Sequence, residues 1–76
     1  MRDRILEILI GIRPDIDFEN ETALMDDGHL DSFDIVSIIS DLNDEYNIHI
    51  RITELKPENF NSVDALVALV QKLQNS

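Results

Sequence analysis

The sequence contains no cysteine and no tryptophan, and only two glycines and two prolines. Without cysteine the chain has no disulfide framework and no thiol of its own. So few glycines and prolines are atypical of fibrous or disordered chains. No apolar run approaches the ~18 residues that span a bilayer, and the N-terminal segment lacks the cleavage site of a signal peptide. We therefore expect one small cytoplasmic domain over residues 1–76, without a transmembrane segment.

Basic residues are also scarce, with 6 bases against 16 acidic residues and a net charge of -10. No base lies between Arg13 and Arg51, an interval that holds most of the acidic residues. Such a surface would repel nucleic acid and anionic membranes. It would attract a basic protein surface, although acidic charge can also serve solubility alone. Composition leaves both of these interpretations open.

Apolar spacing predicts three main helices. The first covers residues 2–12 and is closed by Gly11 and Pro14. The second and strongest covers residues 32–46, and the last covers residues 62–74, with Asn61 or Ser62 as its cap. The residues predicted to be buried are, helix by helix, Ile5, Leu6, Ile8, Leu9 and Ile12; Ile35, Ile38, Ile39, Leu42 and Tyr46; and Val63, Leu66, Val67, Val70 and Leu73.

The two longer connections are predicted to be irregular. Residues 13–31 have no sustained apolar period and should form a long first loop, attached to the core by Phe18, Leu24, Met25 and Leu30. Within residues 47–61, only Ile48, Ile50 and Ile52 alternate with polar residues, and they have no partner strand. This predicts an extended connector and then a short helical turn over 57–60. The expected fold is all-α, a small four-helix bundle with three main helices, one short helix and a long first loop.

Support for catalysis or for a specific metal site is weak. Ser32 lacks the G-x-S-x-G context of a hydrolase nucleophile, and so small a bundle offers no evident substrate pocket. His29 and His49 are expected to be solvent-facing loop residues. Residues 15–26 space their acids like a calcium loop, but asparagine stands where that loop requires glycine. We therefore expect no enzyme and no specific metal site, and only diffuse cation binding.

The stretch DDGHLDSFDIV, residues 26–36, places Ser32 between acids at the start of the strongest helix. A serine N-cap would favour glutamate or glutamine three residues later, and Ile35 stands there. Asp31 has Asp34 three residues later, so Asp31 is the better N-cap, with a contribution of about 0.5–2 kcal/mol. Ser32 then occupies the first helical position with its hydroxyl free to point outward. A helix-start serine without function and an attachment point are the two interpretations.

The segment LDSFDIVSIISDLNDEYNI resembles the signature of acyl carrier and peptidyl carrier proteins, in which an Asp-Ser pair precedes a helix of aliphatic and acidic residues. MDDGHL resembles the family's approach to that pair. ELKPENFNSVDALVALV resembles its short third helix and its fourth helix, so the resemblance extends over the whole chain. It implies a carrier fold and a 4'-phosphopantetheine arm, attached covalently to Ser32 from coenzyme A by a phosphopantetheinyl transferase.

The same resemblance implies roles for other residues. The arm would supply the thiol that the chain lacks and would hold cargo as a thioester. Asp31, Phe33 and Asp34 would flank the site, with the two acids used for capping and enzyme recognition. The implied partners are the transferase, a loading ligase and downstream acyltransferases with basic docking surfaces, which a monomeric carrier would visit in turn. The candidate docking residues are Val36, Asp41, Asp44 and Glu45. Val36 and Phe33 lie at the boundary between the apolar and polar faces of the second helix. For Val36, a place at the edge of the core is therefore favoured over a contact point.

Two segments, GHLDSF and IRITELKPENFNS, are similar to D-alanyl carrier proteins of teichoic acid modification and to related free-standing aminoacyl carriers. Ser37, Ser40 and Asn43 depart from the denser acidic and apolar face that is usual in fatty-acid carriers. The leading hypothesis is a free-standing acyl or aminoacyl carrier, with D-alanyl carriage as the narrower alternative. An unmodified acidic adaptor and a calcium-responsive helical protein are the alternatives of other classes.

Overall fold

The computed structural model describes residues 1–75 and has the helices that the apolar spacing predicts. Helix α1 covers Arg2–Ile12, α2 covers Ser32–Tyr46, α3 covers Pro57–Phe60 and α4 covers Val63–Gln74. Helix α1 packs against α2 and α4, and α4 also packs against α2 and α3. No strand occurs in the described range, so the predicted all-α bundle is confirmed. Ser76, the last residue of the predicted domain, lies outside the described residues.

The core is formed by the predicted helix faces together with side chains from the connections. Leu69 is an addition, since it is 2% exposed although the predicted face of α4 omitted it. Because α4 contacts all three other helices, a wider face of it is covered than a single stripe would suggest. Several predicted core residues are only partly buried against this core, namely Leu6, Ile12, Ile39, Tyr46, Val67 and Leu73.

The long first loop is attached to the bundle as predicted. Phe18 and Leu24 are 2% and 0% exposed, and Leu30 is also buried. The side chain of Asn61, between α3 and α4, fastens the loop as well. Its Oδ1 accepts hydrogen bonds from the backbone N–H groups of Met25 at 3.0 Å and of Asp26 at 3.1 Å. The chain that leads into α2 is therefore held by both apolar contacts and hydrogen bonds.

The connector after α2 is less extended than predicted. Asn47 ends α2 in the left-handed region at a φ of 52°, and Asn43 Oδ1 accepts a hydrogen bond from the Ile50 N–H at 2.9 Å. These contacts turn Ile50 into the core, where it is 5% exposed. A 3₁₀ turn over Ile52–Glu54 follows, and it leaves Ile52 84% exposed. No helix among the described residues has the length and apolarity needed to cross a membrane.

Candidate functional site

The N-terminus of α2 is fixed by a reciprocal pair of aspartates. The Asp31 carboxylate accepts a hydrogen bond from the Asp34 backbone N–H at 2.9 Å. The Asp34 carboxylate accepts one from the Asp31 backbone N–H at 3.2 Å, which completes a capping box. The prediction that Asp31 caps the helix is therefore confirmed, and Ser32 is the first helical residue.

The Ser32 side chain is exposed and uncommitted. Its hydroxyl makes no hydrogen bond to any residue in the range 1–75, because the two aspartates already serve the cap. A serine hydroxyl at this position can be reached from solvent by an enzyme. The local chemistry is that of a positioned but unactivated alcohol, since no base among the described residues is bonded to it.

An apolar groove of about 460 Å³ lies beside Ser32. Its walls come from the first loop, the first turns of α2 and the connector, and its lining residues are Met25, Leu30, Asp31, Ser32, Ile35, Val36 and Leu55. This volume lies within the range of about 300–1,000 Å³ that is typical of small-molecule sites. The groove can therefore accommodate a flexible, mainly apolar chain that starts from the serine.

The favoured interpretation of Val36 as an edge-of-core residue is wrong. Val36 is 64% exposed and Phe33 is 84% exposed, and both flank the serine. Val36 lies one turn after Ser32, on a face of α2 that the other helices leave uncovered. Two exposed apolar side chains therefore flank the serine, and exposed apolar groups that cluster in this way are typical of contact surfaces.

Asp34 is the one charged side chain that is buried in the described part of the chain, at 8% exposure. Arg13 Nη1 donates to its Oδ2 at 2.6 Å, and the same guanidinium binds both carboxylate oxygens of Asp15. The hydrogen bonds to Asp15 and Asp34 raise the pKa of Arg13, and the guanidinium lowers the pKa of Asp15. The Asp34 side chain points inward to Arg13, whereas the Asp31 side chain is exposed to solvent.

The candidate docking residues do not form a single patch. Val36 lines the groove beside Ser32, whereas Asp41, Asp44 and Glu45 line a second groove of about 340 Å³ between α1 and α2. Glu45 is partly engaged there, since Arg4 Nη2 donates to it at 3.0 Å. Asp44 follows Ser32 by roughly 18 Å along the helix axis at 1.5 Å per residue. A partner that reaches from Ser32 to Asp44 therefore needs a contact surface of at least that length.

Three side chains of the first loop come together without any signal in the sequence. His29 Nε2 lies 3.1 Å from Glu21 Oε2, and ligand atoms of Glu21, Asp27 and His29 all lie within 4.8 Å of one another. Gly28, with a φ of 74°, turns the chain so that its neighbours can meet. Asp27 and His29 are exposed, as expected for His29, and exposed acidic groups often cluster without a metal. We assign no ion to this cluster.

Comparison with known proteins adds an independent observation. Residues 3–70 match the protein family that is described as phosphopantetheine attachment site. A protein named acyl carrier protein, from Buchnera aphidicola subsp. Baizongia pistaciae (strain Bp), is 38% identical over 53 residues, or 70% of this chain. The chain spans 65% of the length of that curated relative.

Proposed function

The chain belongs to the family of acyl and peptidyl carrier proteins that bear 4'-phosphopantetheine, and on this premise we propose that Ser32 is the residue to which the arm is attached. Members of this family carry cargo and do not transform it. The observation that carries the proposal is the free, exposed hydroxyl of Ser32 at the first position of α2, beside an apolar groove.

The residues around Ser32 suit such an arm. A phosphodiester on Oγ would lie at the N-terminus of a fifteen-residue helix, whose dipole favours an anion by about 0.3–1 kcal/mol. The Asp31 carboxylate opposes this effect, but its hydrogen bond to the Asp34 N–H directs its charge toward the helix. The groove lined by Leu30, Ile35 and Leu55 supplies apolar surface for the chain that follows the phosphate.

Attachment forms one bond and breaks one bond. The Ser32 oxygen bonds to the phosphorus that carries pantetheine in coenzyme A, and adenosine bisphosphate leaves with the pyrophosphate bond broken. The hydroxyl proton passes to a base of the transferase, since no basic group among residues 1–75 is hydrogen-bonded to the Ser32 hydroxyl. When attached, the arm supplies a thiol that holds cargo as a thioester, which this cysteine-free chain could not do by itself.

We further propose that the cargo is an acyl or aminoacyl group, with D-alanine as the narrower candidate. The similarity of GHLDSF and IRITELKPENFNS to D-alanyl carriers supports the narrower candidate. The test is to load the arm-bearing protein with D-alanine by a D-alanyl ligase and ATP, alongside L-alanine and a fatty acid with their own ligases. D-alanyl thioester formation at a rate far above the others would support it, and preferential acylation by the fatty acid would contradict it.

We also propose that α2 docks enzymes that combine an apolar recess with a basic surface, through residues beside Ser32 and acids further along the helix. The exposed Phe33 and Val36 would enter an apolar recess of the partner, and Asp41 and Asp44 would pair with its bases. Exposed ion pairs contribute about 0.2–1 kcal/mol each, which suits contacts that form and dissociate rapidly. In Asp41→Asn/Asp44→Asn, the rate of modification should fall and depend less steeply on salt. Glu7→Gln, an exposed acid on α1, is the matched control.

The attachment proposal is tested by intact mass spectrometry after incubation with a broad-specificity phosphopantetheinyl transferase and coenzyme A. The native chain should gain one phosphopantetheine group, and Ser32→Ala should gain none. Ser37→Ala, an exposed serine on the same helix, is the matched control and should be modified like the native chain. Failure of the folded native chain to gain the group would favour an unmodified adaptor, and gain by Ser32→Ala would place the arm elsewhere.

A further inference from the structure

We propose that Arg13 is a positioning residue for the reaction at Ser32. This inference rests on the proposed attachment role of Ser32 and extends it to a residue at the end of α1. Arg13 does not line the groove beside the serine, and it acts through Asp34 and the first loop. No sequence pattern marks Arg13, because its contact with Asp34 joins segments that are far apart in the sequence.

One guanidinium connects three segments of the chain, and one of them is the first turn of α2, which carries Ser32. Nε and Nη2 donate to the Asp15 carboxylate at 3.0 and 2.9 Å, which locks the side chain in a bidentate pair. Nη1 donates to Asp34 Oδ2 at 2.6 Å and to the backbone carbonyl of His29 at 3.4 Å. Arg13 thereby joins the end of α1, the loop three residues before Ser32 and the first turn of α2.

The charge of Arg13 keeps the capping box of α2 intact. Asp34 Oδ2 accepts hydrogen bonds from both Arg13 and the Asp31 backbone N–H, so the two contacts share one oxygen. Without the guanidinium, the Asp34 carboxylate would be buried with no counter-charge, which is strongly unfavourable. It would turn toward water and release the Asp31 N–H, and the first turn that carries Ser32 would lose its fixed position relative to the loop.

Position matters here because the serine oxygen must meet a phosphorus atom held by another protein. A misplacement of about 1 Å can cost on the order of 10²-fold in rate. The expected effect of Arg13→Met is therefore a fall of at least about tenfold in kcat for modification, with KM for the carrier changed by less than about threefold. A residue used only for docking would instead raise KM.

The experiment is steady-state modification by the transferase with saturating coenzyme A, at a temperature where circular dichroism shows every variant to be folded. Arg2→Met is the matched control, since it removes a partly exposed arginine of α1 that pairs with Asp64 and Glu19 and not with Asp34. It should retain the native kcat. The double variant Arg13→Met/Asp34→Asn should recover most of the lost kcat, because the amide can still accept from the Asp31 N–H and leaves no buried charge.

Arg13→Lys extends the test if Arg13→Met does not fold. A lysine keeps one positive charge for Asp34 but cannot form the bidentate pair with Asp15. The kcat of Arg13→Lys should therefore lie between those of Arg13→Met and the native chain, roughly threefold below native. A native kcat in folded Arg13→Met or Arg13→Lys would overturn the proposal, as would a loss that Asp34→Asn does not restore. If the native chain is modified on Ser32 and these variants behave like it, only the role of Arg13 fails. If the native chain acquires no arm, the proposed function fails and this inference fails with it.

Discussion

Replacing Asn61 with alanine tests how the loop before Ser32 is held. The substitution removes the acceptor for the backbone N–H groups of Met25 and Asp26, and the donor to the Asp26 carboxylate at 3.1 Å. The Asp26 groups are exposed and can bond to water instead. The Met25 N–H is partly buried, and leaving such a donor without a partner costs about 1–3 kcal/mol.

We therefore expect Asn61→Ala to lower the free energy of unfolding by about 2 kcal/mol. For a chain of this size the total is roughly 4–11 kcal/mol, so the variant should remain folded. Its Tm should fall by about 8–16 °C, since 1 kcal/mol corresponds to about 4–8 °C in a domain of this length. Urea unfolding followed by circular dichroism measures the change directly.

Hydrogen exchange shows whether the loss has the proposed cause. In Asn61→Ala the Met25 amide should exchange faster, whereas the Leu24 amide should stay protected because it donates to the backbone carbonyl of residue 61 at 2.9 Å. Asn20→Ala is the matched control, since Asn20 is exposed and its side chain donates only to Asp17. It should cost less than about 0.5 kcal/mol. Equal losses in the two variants, or unchanged exchange at Met25, would refute the reasoning.

Further predictions concern the glycines and Tyr46. Gly11→Ala should stabilise the protein by about 0.5–1 kcal/mol, because an added Cβ meets nothing within 4 Å and alanine favours the helix. Gly28→Ala should destabilise it by about 1–2 kcal/mol, because its φ of 74° is unfavourable for a residue with a Cβ; urea unfolding of both variants should therefore give shifts of opposite sign. Burial, aided by Glu45, raises the pKa of Tyr46. The folded state thus holds the phenolic proton more tightly than the unfolded state does. The resulting contribution to the free energy of unfolding is present below the unfolded pKa of about 10 and is lost as pH rises through the folded pKa. Tyr46→Phe should reduce alkaline unfolding, as measured by circular dichroism against pH, and an unchanged alkaline midpoint would contradict this.

The helices and the cap could be predicted because their causes are local. The face formed by Ile35, Ile38 and Leu42 repeats at helical spacing, and its bounds agree with α2 over Ser32–Tyr46. The choice of Asp31 over Ser32 as N-cap followed from the residue three positions later. Local chemistry thus indicated that the serine hydroxyl is free before any tertiary contact was known.

The contacts that hold the site in place could not be predicted, because they join distant segments. Arg13 meets Asp34, and Asn61 meets the amide of Met25, only after the bundle has assembled. No spacing rule applies to such pairs. The cluster of Glu21 and His29 depends in the same way on the path of an irregular loop.

Exposure was predicted less well than helix position. Periodicity indicates which residues share a face, but the packing of neighbouring elements decides which faces are covered. Val36 was therefore predicted to lie at the edge of the core but is exposed, and Leu69 is buried although the predicted core did not include it. The turn over Ile52–Glu54, which leaves Ile52 exposed, depends on how Asn47 and Asn43 end α2.

The central claim is that the arm is borne by Ser32, and site mapping on the protein recovered from its own cells tests this most directly. Proteolytic digestion and tandem mass spectrometry would locate the phosphopantetheine group on individual residues. We predict fragment ions that place the group on Ser32 and leave Ser37 and Ser40 unmodified. Fragment ions that place it on another residue, or a recovered chain that bears no such group on any molecule, would contradict the claim.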